Sequence, residues 1–163
     1  MAWTLNIQLH SDMILLGKRH LTFKMECISD GSQLAPTLLS TFTGWGILSA
    51  DQKMSISYGR LVSLTTVPGT GTEQPLSAYD VSLYNGLGAS IFVAPGRSIS
   101  AAEITFPTIV SDVAPNMNGI PYLRIADLGD AGDKTSLYLE VCVGLPDIEE
   151  IIKKAGGSIN LPV

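Results

Sequence analysis

Short segments in which apolar and polar residues alternate follow one another along most of this chain, and turn residues separate them. In the clearest segment, residues 19–27, every second side chain is apolar: Leu21, Phe23, Met25 and Cys27. Such alternation is typical of a strand with one buried face. The other predicted strands are Trp3–Leu9, Met54–Val67, Ala78–Tyr84, Ala89–Val93, Ile104–Val110, Ile120–Ala126 and Thr135–Val141. So many short strands predict an all-β fold, either a β-sandwich or a jelly-roll-like barrel.

The chain shows no internal repeat and no second-domain boundary, so residues 1–163 are interpreted as one β domain. Residues 1–18 form a possible N-terminal arm, and residues 146–163 are predicted to be a short C-terminal helix followed by a tail. Pro146-Asp147 opens this helix, Glu150 completes the pattern of a capping box, and Gly156-Gly157 ends it. The apolar tail is interpreted either as a docking arm or as a packed end of the domain.

Two connections between the predicted strands have distinct signals. Asn85-Gly86 predicts a hairpin with a type I′ turn, which Leu87-Gly88 can lengthen, and Ala94–Ser98 is predicted to turn the chain again. Residues 29–50 read as one long loop, and loops of that length often make functional contacts. Within it, Trp45 stands between two glycines. Its ring either contacts a partner or plugs one end of the sandwich.

Composition argues against several classes of partner. The net charge of −5 disfavours nucleic acid, because nucleic-acid binders need Lys and Arg to displace counterions from phosphates. No apolar run approaches the roughly 18 residues of a membrane span. The low charged content, 15%, fits either a surface hidden in an assembly or a well-filled sandwich with a Ser/Thr-rich surface. Cys27 and Cys142 both fall in predicted strands. A reducing cytoplasm is therefore the expected site of synthesis, and a bridge between the two would need adjacent strands.

A search for catalytic or metal-binding patterns yields no catalytic, cofactor or metal residue. His20 lies on the polar face of its strand and is expected to be solvated, and no Gly-x-Ser-x-Gly motif is present. Asp127, Asp130 and Asp133 are spaced three residues apart, whereas an EF-hand places ligands at every second position and closes with a distant Glu. A solvated hairpin turn is therefore favoured over a cation site. A pair of carboxylates that meets only in space, as in glycosidases, stays open.

Several strand-and-turn motifs between residues 58 and 141 carry a resemblance. They are Ala78–Tyr84, Asn85–Gly88, Pro95–Ser98, Tyr122–Ile125, Gly129–Gly132 and Ser136–Leu139. In this order they resemble small all-β virion proteins of tailed bacteriophages, which carry a "YDVTL…DG" strand-turn and a later "NAGDG…V.LY" turn-strand. Here Asn85-Gly86 stands where such proteins often have Asp-Gly.

The resemblance implies a non-enzymatic structural virion protein of the capsid decoration, or cement, type. It also implies binding to the major capsid protein, a homotrimer seated where coat subunits meet, and assembly into the virion in the host cytoplasm. Terminal arms around Trp3–Leu16 and Ile159–Val163 are then expected to reach neighbours. The alternatives are a head–tail connector or tail component, a cytoplasmic ligand-binding β-sandwich, and a hydrolase with a carboxylate pair.

Overall fold

Two antiparallel sheets packed face to face make up the computed structural model, which describes residues 2–107 and 115–144. Its strands are β1 (Thr4–Leu15), β2 (Lys18–Asp30), β3 (Leu34–Leu38), β4 (Arg60–Pro68), β5 (Tyr79–Tyr84), β6 (Ser90–Arg97), β7 (Glu103–Thr105), β8 (Tyr122–Ala126) and β9 (Ala131–Gly144). The five-stranded sheet has the order β1-β2-β9-β4-β7, and the four-stranded sheet has the order β3-β8-β5-β6. Of the two predicted architectures, the chain adopts the β-sandwich.

The core forms where the apolar faces of the two sheets meet. In β2 the alternation predicted for residues 19–27 is confirmed, because its apolar side chains are fully buried. Phe23 lies opposite Leu139 of β9, and Leu139 lies opposite Leu64 of β4, so one apolar row crosses the sheet. The other sheet contributes a matching row in which Leu83 lies opposite Leu123. Period-two burial on both sheets is what makes the sandwich stable.

The predicted strand Met54–Val67 is wrong in its first part, because a helix, α1 (Ala50–Tyr58), precedes β4. Ser49 and Gln52 form a capping box: the Ser49 hydroxyl accepts from the Gln52 amide, and Gln52 Oε1 accepts from the Ser49 amide. The buried residues of α1 are Ser55, Ile56 and Ser57, so the helix has no apolar stripe. The sequence Met-Ser-Ile-Ser-Tyr alternates like a strand, although its backbone is helical.

The predicted C-terminal helix and tail, residues 146–163, lie outside the described residues. Residues 108–110 of the predicted strand Ile104–Val110 also lie outside them, and β7 ends at Thr105. Within the part of the chain that the structure describes, no helix is both long and apolar enough to cross a membrane.

Two predicted turns have a different role in the structure. The acidic segment 127–133 is not a hairpin turn, because β8 belongs to the four-stranded sheet and β9 to the five-stranded one. It therefore carries the chain from one layer of the sandwich to the other. Ala94–Ser98 does not turn the chain either, since β6 continues to Arg97, which lies opposite Tyr79. Pro95 is tolerated there because β6 is an edge strand, where a missing amide donor breaks no ladder.

The hairpin of β5 and β6 is confirmed, but its turn is not of type I′. Only Gly88 among residues 85–89 has a positive φ, of 83°. The Asn85 side chain organises the loop instead, since its Oδ1 accepts from the amides of Leu87 and Ala89, each at 3.0 Å. Gly86 is required for a close approach: its amide donates to Met117 O at 2.7 Å, and a Cβ there would overlap the backbone of residues 118–119.

Candidate functional site

The two histidines lie on strands of the five-stranded sheet and face different partners. The His10 ring contacts Tyr138 edge-on, with 5.0 Å between ring centroids. His20 Nδ1 lies 3.8 Å from Glu140 Oε2, and its side chain is 20% exposed. The prediction of a polar-face position for His20 is confirmed, although the ring is less solvated than expected.

Two of the three aspartates of the acidic segment accept hydrogen bonds with their carboxylates from groups of the fold. Asp133 is buried, and its Oδ2 accepts from the Asp130 amide at 2.9 Å. Asp127 adopts a left-handed backbone with φ 62°, and its Oδ1 accepts from Gln33 Nε2 at 3.3 Å. Across residues 2–107 and 115–144, no three or more His, Cys, Asp or Glu side chains are grouped so that they could hold a metal ion. The segment therefore reads as the scaffold of a crossover between the sheets.

Cys27 and Cys142 lie on neighbouring strands but at different heights. Cys27 lies opposite Thr135, seven residues before Cys142 along β9, and Cys142 lies opposite His20. Seven residues of strand span about 23 Å, far beyond the reach of a disulfide. Burial raises the pKa of the Cys27 thiol far above its usual range, so this residue is a packed apolar group rather than a nucleophile.

Residues 29–50, predicted as one long loop, contain β3 and two short 3-10 turns and pack against the sandwich. Leu39, Phe42 and Leu48 are buried, and the partly buried Trp45 packs against the core. This favours the interpretation of Trp45 as a ring that closes one end of the domain. The main chain of Thr43 runs parallel to β1: its amide donates to Leu5 O at 2.9 Å, and its carbonyl accepts from the Ile7 amide at 2.8 Å.

Among residues 2–107 and 115–144, the largest group of consecutive exposed apolar side chains lies at the end of the β1–β2 hairpin. Met13, Ile14, Leu15 and Leu16, here called the apolar tip, are 47%, 65%, 48% and 102% exposed. Their predicted place in an N-terminal arm is refined by the structure, because residues 4–15 are paired along their length with β2. A sequence signal was present, since a run of four apolar residues breaks the alternation of the strand.

An arginine next to the turn of this hairpin joins its two strands to α1. Arg19 Nε and Nη2 donate to the two carboxylate oxygens of Asp12 at 3.0 and 2.7 Å, and Nη1 donates to Asp51 at the start of α1. The hydrogen bonds from Arg19 hold the pKa of the Asp12 carboxyl below its usual range. The bidentate pair therefore connects β1, β2 and α1 and orients the apolar tip.

A second exposed apolar group spans β6, an edge strand of the four-stranded sheet, and β7, the strand at the other edge of the five-stranded sheet from β1. Val93, Ile104 and Phe106, here called the β6–β7 patch, are 58%, 57% and 64% exposed. Val93 and Phe106 line a shallow cavity of about 470 Å³. Four strand spacings separate β1 from β7, a distance of about 19 Å. The two apolar surfaces are therefore independent.

A groove of about 570 Å³ runs beside β1, between that strand and the segment that leads into α1. Polar side chains such as Asn6, Gln8 and Gln52 line it together with Ile47 and the ion pair of Lys24 with Glu26. Among the described residues that line it, none is aromatic. This composition offers hydrogen bonds to a polar ligand but no ring on which a sugar could stack.

A scan against protein-family models, a search of curated proteins and a search of solved structures each returned no match to this chain.

Proposed function

We propose that this chain is a structural virion protein that decorates and stabilises the capsid of a tailed bacteriophage by binding the lattice of its major capsid protein. The proposal draws on the resemblance of residues 58–141 to small virion proteins. It is supported by the β-sandwich that those residues build together with β1 and β2. The role is non-enzymatic, and its site of action is the assembled virion.

The observation that carries this proposal is the presence of two separate exposed apolar surfaces on one small sandwich. Large apolar side chains exposed together usually mark an interaction site. A subunit of a lattice needs one contact for its own copies and another for the coat protein, and the apolar tip and the β6–β7 patch can fill these two roles. Repetition over a symmetric shell multiplies modest contacts into tight binding.

The experiment that tests the proposal is a copy-number measurement by quantitative mass spectrometry on virions purified from the source of this chain. Copies comparable in number with the major capsid protein are the expected result. Far fewer copies would instead support the head–tail connector or tail role. Complete absence from the particles would overturn the proposal.

A binding assay then addresses the coat contact. Capsids lacking this protein are mixed with purified protein and sedimented, and Phe106→Asp is expected to reduce co-sedimentation at least tenfold. Leu76→Asp is the matched control, because Leu76 is similarly exposed, at 65%, and lies outside both apolar surfaces. Equal loss in both variants would argue against the β6–β7 patch as the coat contact.

The groove beside β1 supports a second candidate function, a ligand-binding β-sandwich. It predicts a thermal shift on addition of a small polar ligand, which Gln52→Ala would abolish. A ligand panel that leaves the melting temperature unchanged would count against this candidate.

A further inference from the structure

The outer edge of β1 is covered over only part of its length. Beside Leu5 and Ile7, the main chain of Thr43 occupies the edge and exchanges two hydrogen bonds with the strand. A one-residue bulge then falls between Leu9 and Ser11. Beyond the bulge, Ser11–Leu15 has β2 on one side, and none of the described strands lies on the other side.

The direction of the main-chain groups along this edge follows from the register. Leu5 and Ile7 point their main-chain groups away from β2, toward Thr43, and such groups alternate along an antiparallel strand. The bulge adds one residue and so reverses this alternation. Before the bulge the odd-numbered residues point their main-chain groups away from β2, and after it the even-numbered residues do, beginning with Asp12 opposite Leu21. The amides and carbonyls of Asp12 and Ile14 therefore face the open edge.

This edge has few of the features that block strand pairing. Proline and lysine are absent from Ser11–Leu15, and its one charge, on Asp12, is paired with Arg19 inside the same chain. Three of its five side chains belong to the exposed apolar tip. An apolar edge with unpaired main-chain groups is a template for another strand.

We propose that Ser11–Leu15 pairs antiparallel with the same segment of a second copy, around a two-fold axis at Met13. The bulge and the turn at Leu16-Gly17 limit the straight segment to five residues, and the self-pairing that uses all five places Met13 opposite itself. Asp12 then lies opposite Ile14 of the second copy, and the amide and carbonyl of each residue bond to those of the other. The two-fold axis repeats this pair, so that two such hydrogen-bonded pairs form. The two five-stranded sheets become one continuous sheet.

A second copy fits this edge because the contact is self-complementary in both geometry and charge. Each Asp12 keeps its own Arg19, so the chain's net charge of −5 brings no unpaired like charges together here. The outward groups of Asp12 meet those of Ile14, and the apolar side chains of the two tips lie against each other. Such isologous contacts close on themselves and give dimers. The inference does not depend on the capsid role, and it favours a dimer over the trimer that the resemblance implies.

The first test is the mass of the full chain in solution, by sedimentation velocity over a range of concentrations. Wild-type protein is expected to reach twice the monomer mass of 17.3 kDa. Ile14→Pro removes an outward amide without removing a hydrogen bond to β2, and Ile14→Lys adds a charge beside the axis. Both should weaken dimerisation at least tenfold. Ile47→Lys, at an isoleucine 89% exposed outside the apolar tip, should have no effect.

The second test detects the axis itself. Met13→Cys, in a Cys142→Ala background, places two thiols at a non-hydrogen-bonded pair, where the Cα atoms lie about 4.5 Å apart and a disulfide can form. A covalent dimer is expected under mild oxidation, and Ile47→Cys in the same background should give none. A wild-type protein that stays monomeric, a trimer, or a dimer that Ile14→Lys leaves intact would overturn the proposal. These outcomes are independent of copy number in virions.

Discussion

The hydroxyl groups of Tyr79 and Thr135 join the two sheets of the sandwich across its core. They lie 2.8 Å apart, and both side chains are fully buried. Tyr79 begins β5 of the four-stranded sheet, whereas Thr135 lies on β9 of the five-stranded sheet. Burial raises the pKa of the Tyr79 hydroxyl, and the hydrogen bond to Thr135 opposes this in part, so the pair is a neutral hydrogen bond at pH 7. It fixes how the two layers are placed relative to each other.

Tyr79→Phe should lower the free energy of unfolding by about 1–2 kcal/mol, because the buried Thr135 hydroxyl loses this partner. Urea denaturation at pH 7 measures the change. Tyr58→Phe is the matched control, since Tyr58 is 59% exposed and its loss should stay within about 0.5 kcal/mol. A double-mutant cycle with Thr135→Val should give a coupling energy of about 1 kcal/mol. A coupling energy of zero would contradict a hydrogen bond between the sheets.

The pKa of the Asp12 carboxyl group should report directly on Arg19, which lies near the turn of the β1–β2 hairpin. This pKa is held low chiefly by hydrogen bonds from Arg19, so Arg19→Met should raise it toward the ordinary value of 3.8. An NMR titration of the side-chain carboxyl group measures it. Asp30 is an internal control, since its low pKa comes from Ser32 and should not change. An equal change in the pKa values of Asp12 and Asp30 would mean that Arg19→Met perturbs the whole fold rather than its direct partner.

The same ion pair has a defined dependence on pH. The pKa of Asp12 is lower in the folded chain than in the unfolded chain. The pair therefore stabilises the fold at pH values above the pKa of the unfolded chain, and this stabilisation is lost as the pH falls through the pKa of the folded chain. Solvent screens both partners, so the contribution stays below about 1 kcal/mol. Removing Arg19 should therefore lower the free energy of unfolding at pH 7, and this loss should shrink as the pH falls below the ordinary pKa of 3.8.

Substitution of three glycines by alanine should lower the free energy of unfolding by different amounts, each for its own structural reason. Gly86→Ala should cost more than about 2 kcal/mol, because the new Cβ would overlap the Asn118 carbonyl oxygen and lie 2.6 Å from the Gly119 Cα. Gly88→Ala should cost about 1 kcal/mol, since its φ of 83° is strained for an L-residue in open space. Gly46→Ala meets neither problem and should be nearly neutral. Thermal unfolding of the three variants checks the order, and a neutral Gly86→Ala would refute the close approach.

The alternation of β2 could be predicted because burial on one face follows directly from local sequence. The helix α1 was missed for an equally local reason. Residues 54–58 alternate between larger and smaller side chains as a strand does, and the capping box of Ser49 and Gln52 was the one signal that opposed this. Burial of two serines gives the helix no apolar stripe, so periodicity could not identify it.

Other features depend on contacts that no local pattern encodes. The crossover at Asp127–Asp133 looked like a hairpin because both neighbouring strands are well marked, but sheet membership is decided by pairing with distant strands. Met13–Leu16 was predicted to lie in an N-terminal arm, whereas the structure pairs residues 4–15 with β2 and places β1 at the edge of its sheet. The open edge of β1 therefore became visible only once the order of the strands was known.

The stability of the whole domain should fall in alkaline solution, and Cys27 should account for a measurable part of this. Burial raises the pKa of this thiol far above its ordinary value of 9.0. Below pH 9 the thiol is protonated in both the folded and the unfolded chain, so its titration does not lower the free energy of unfolding. Above pH 9 only the unfolded chain releases the proton, and stability falls by about 1.4 kcal/mol per pH unit.

Free energies of unfolding at pH 8 and pH 10, for wild type and Cys27→Ala, separate this effect from the titration of lysines and tyrosines. The variant should be less stable at pH 8, because it loses buried volume in the core. Its further loss between pH 8 and pH 10 should be smaller than that of wild type by about 1.4 kcal/mol. Because other groups titrate equally in both proteins, an identical loss would mean that the Cys27 thiolate is tolerated in the folded core.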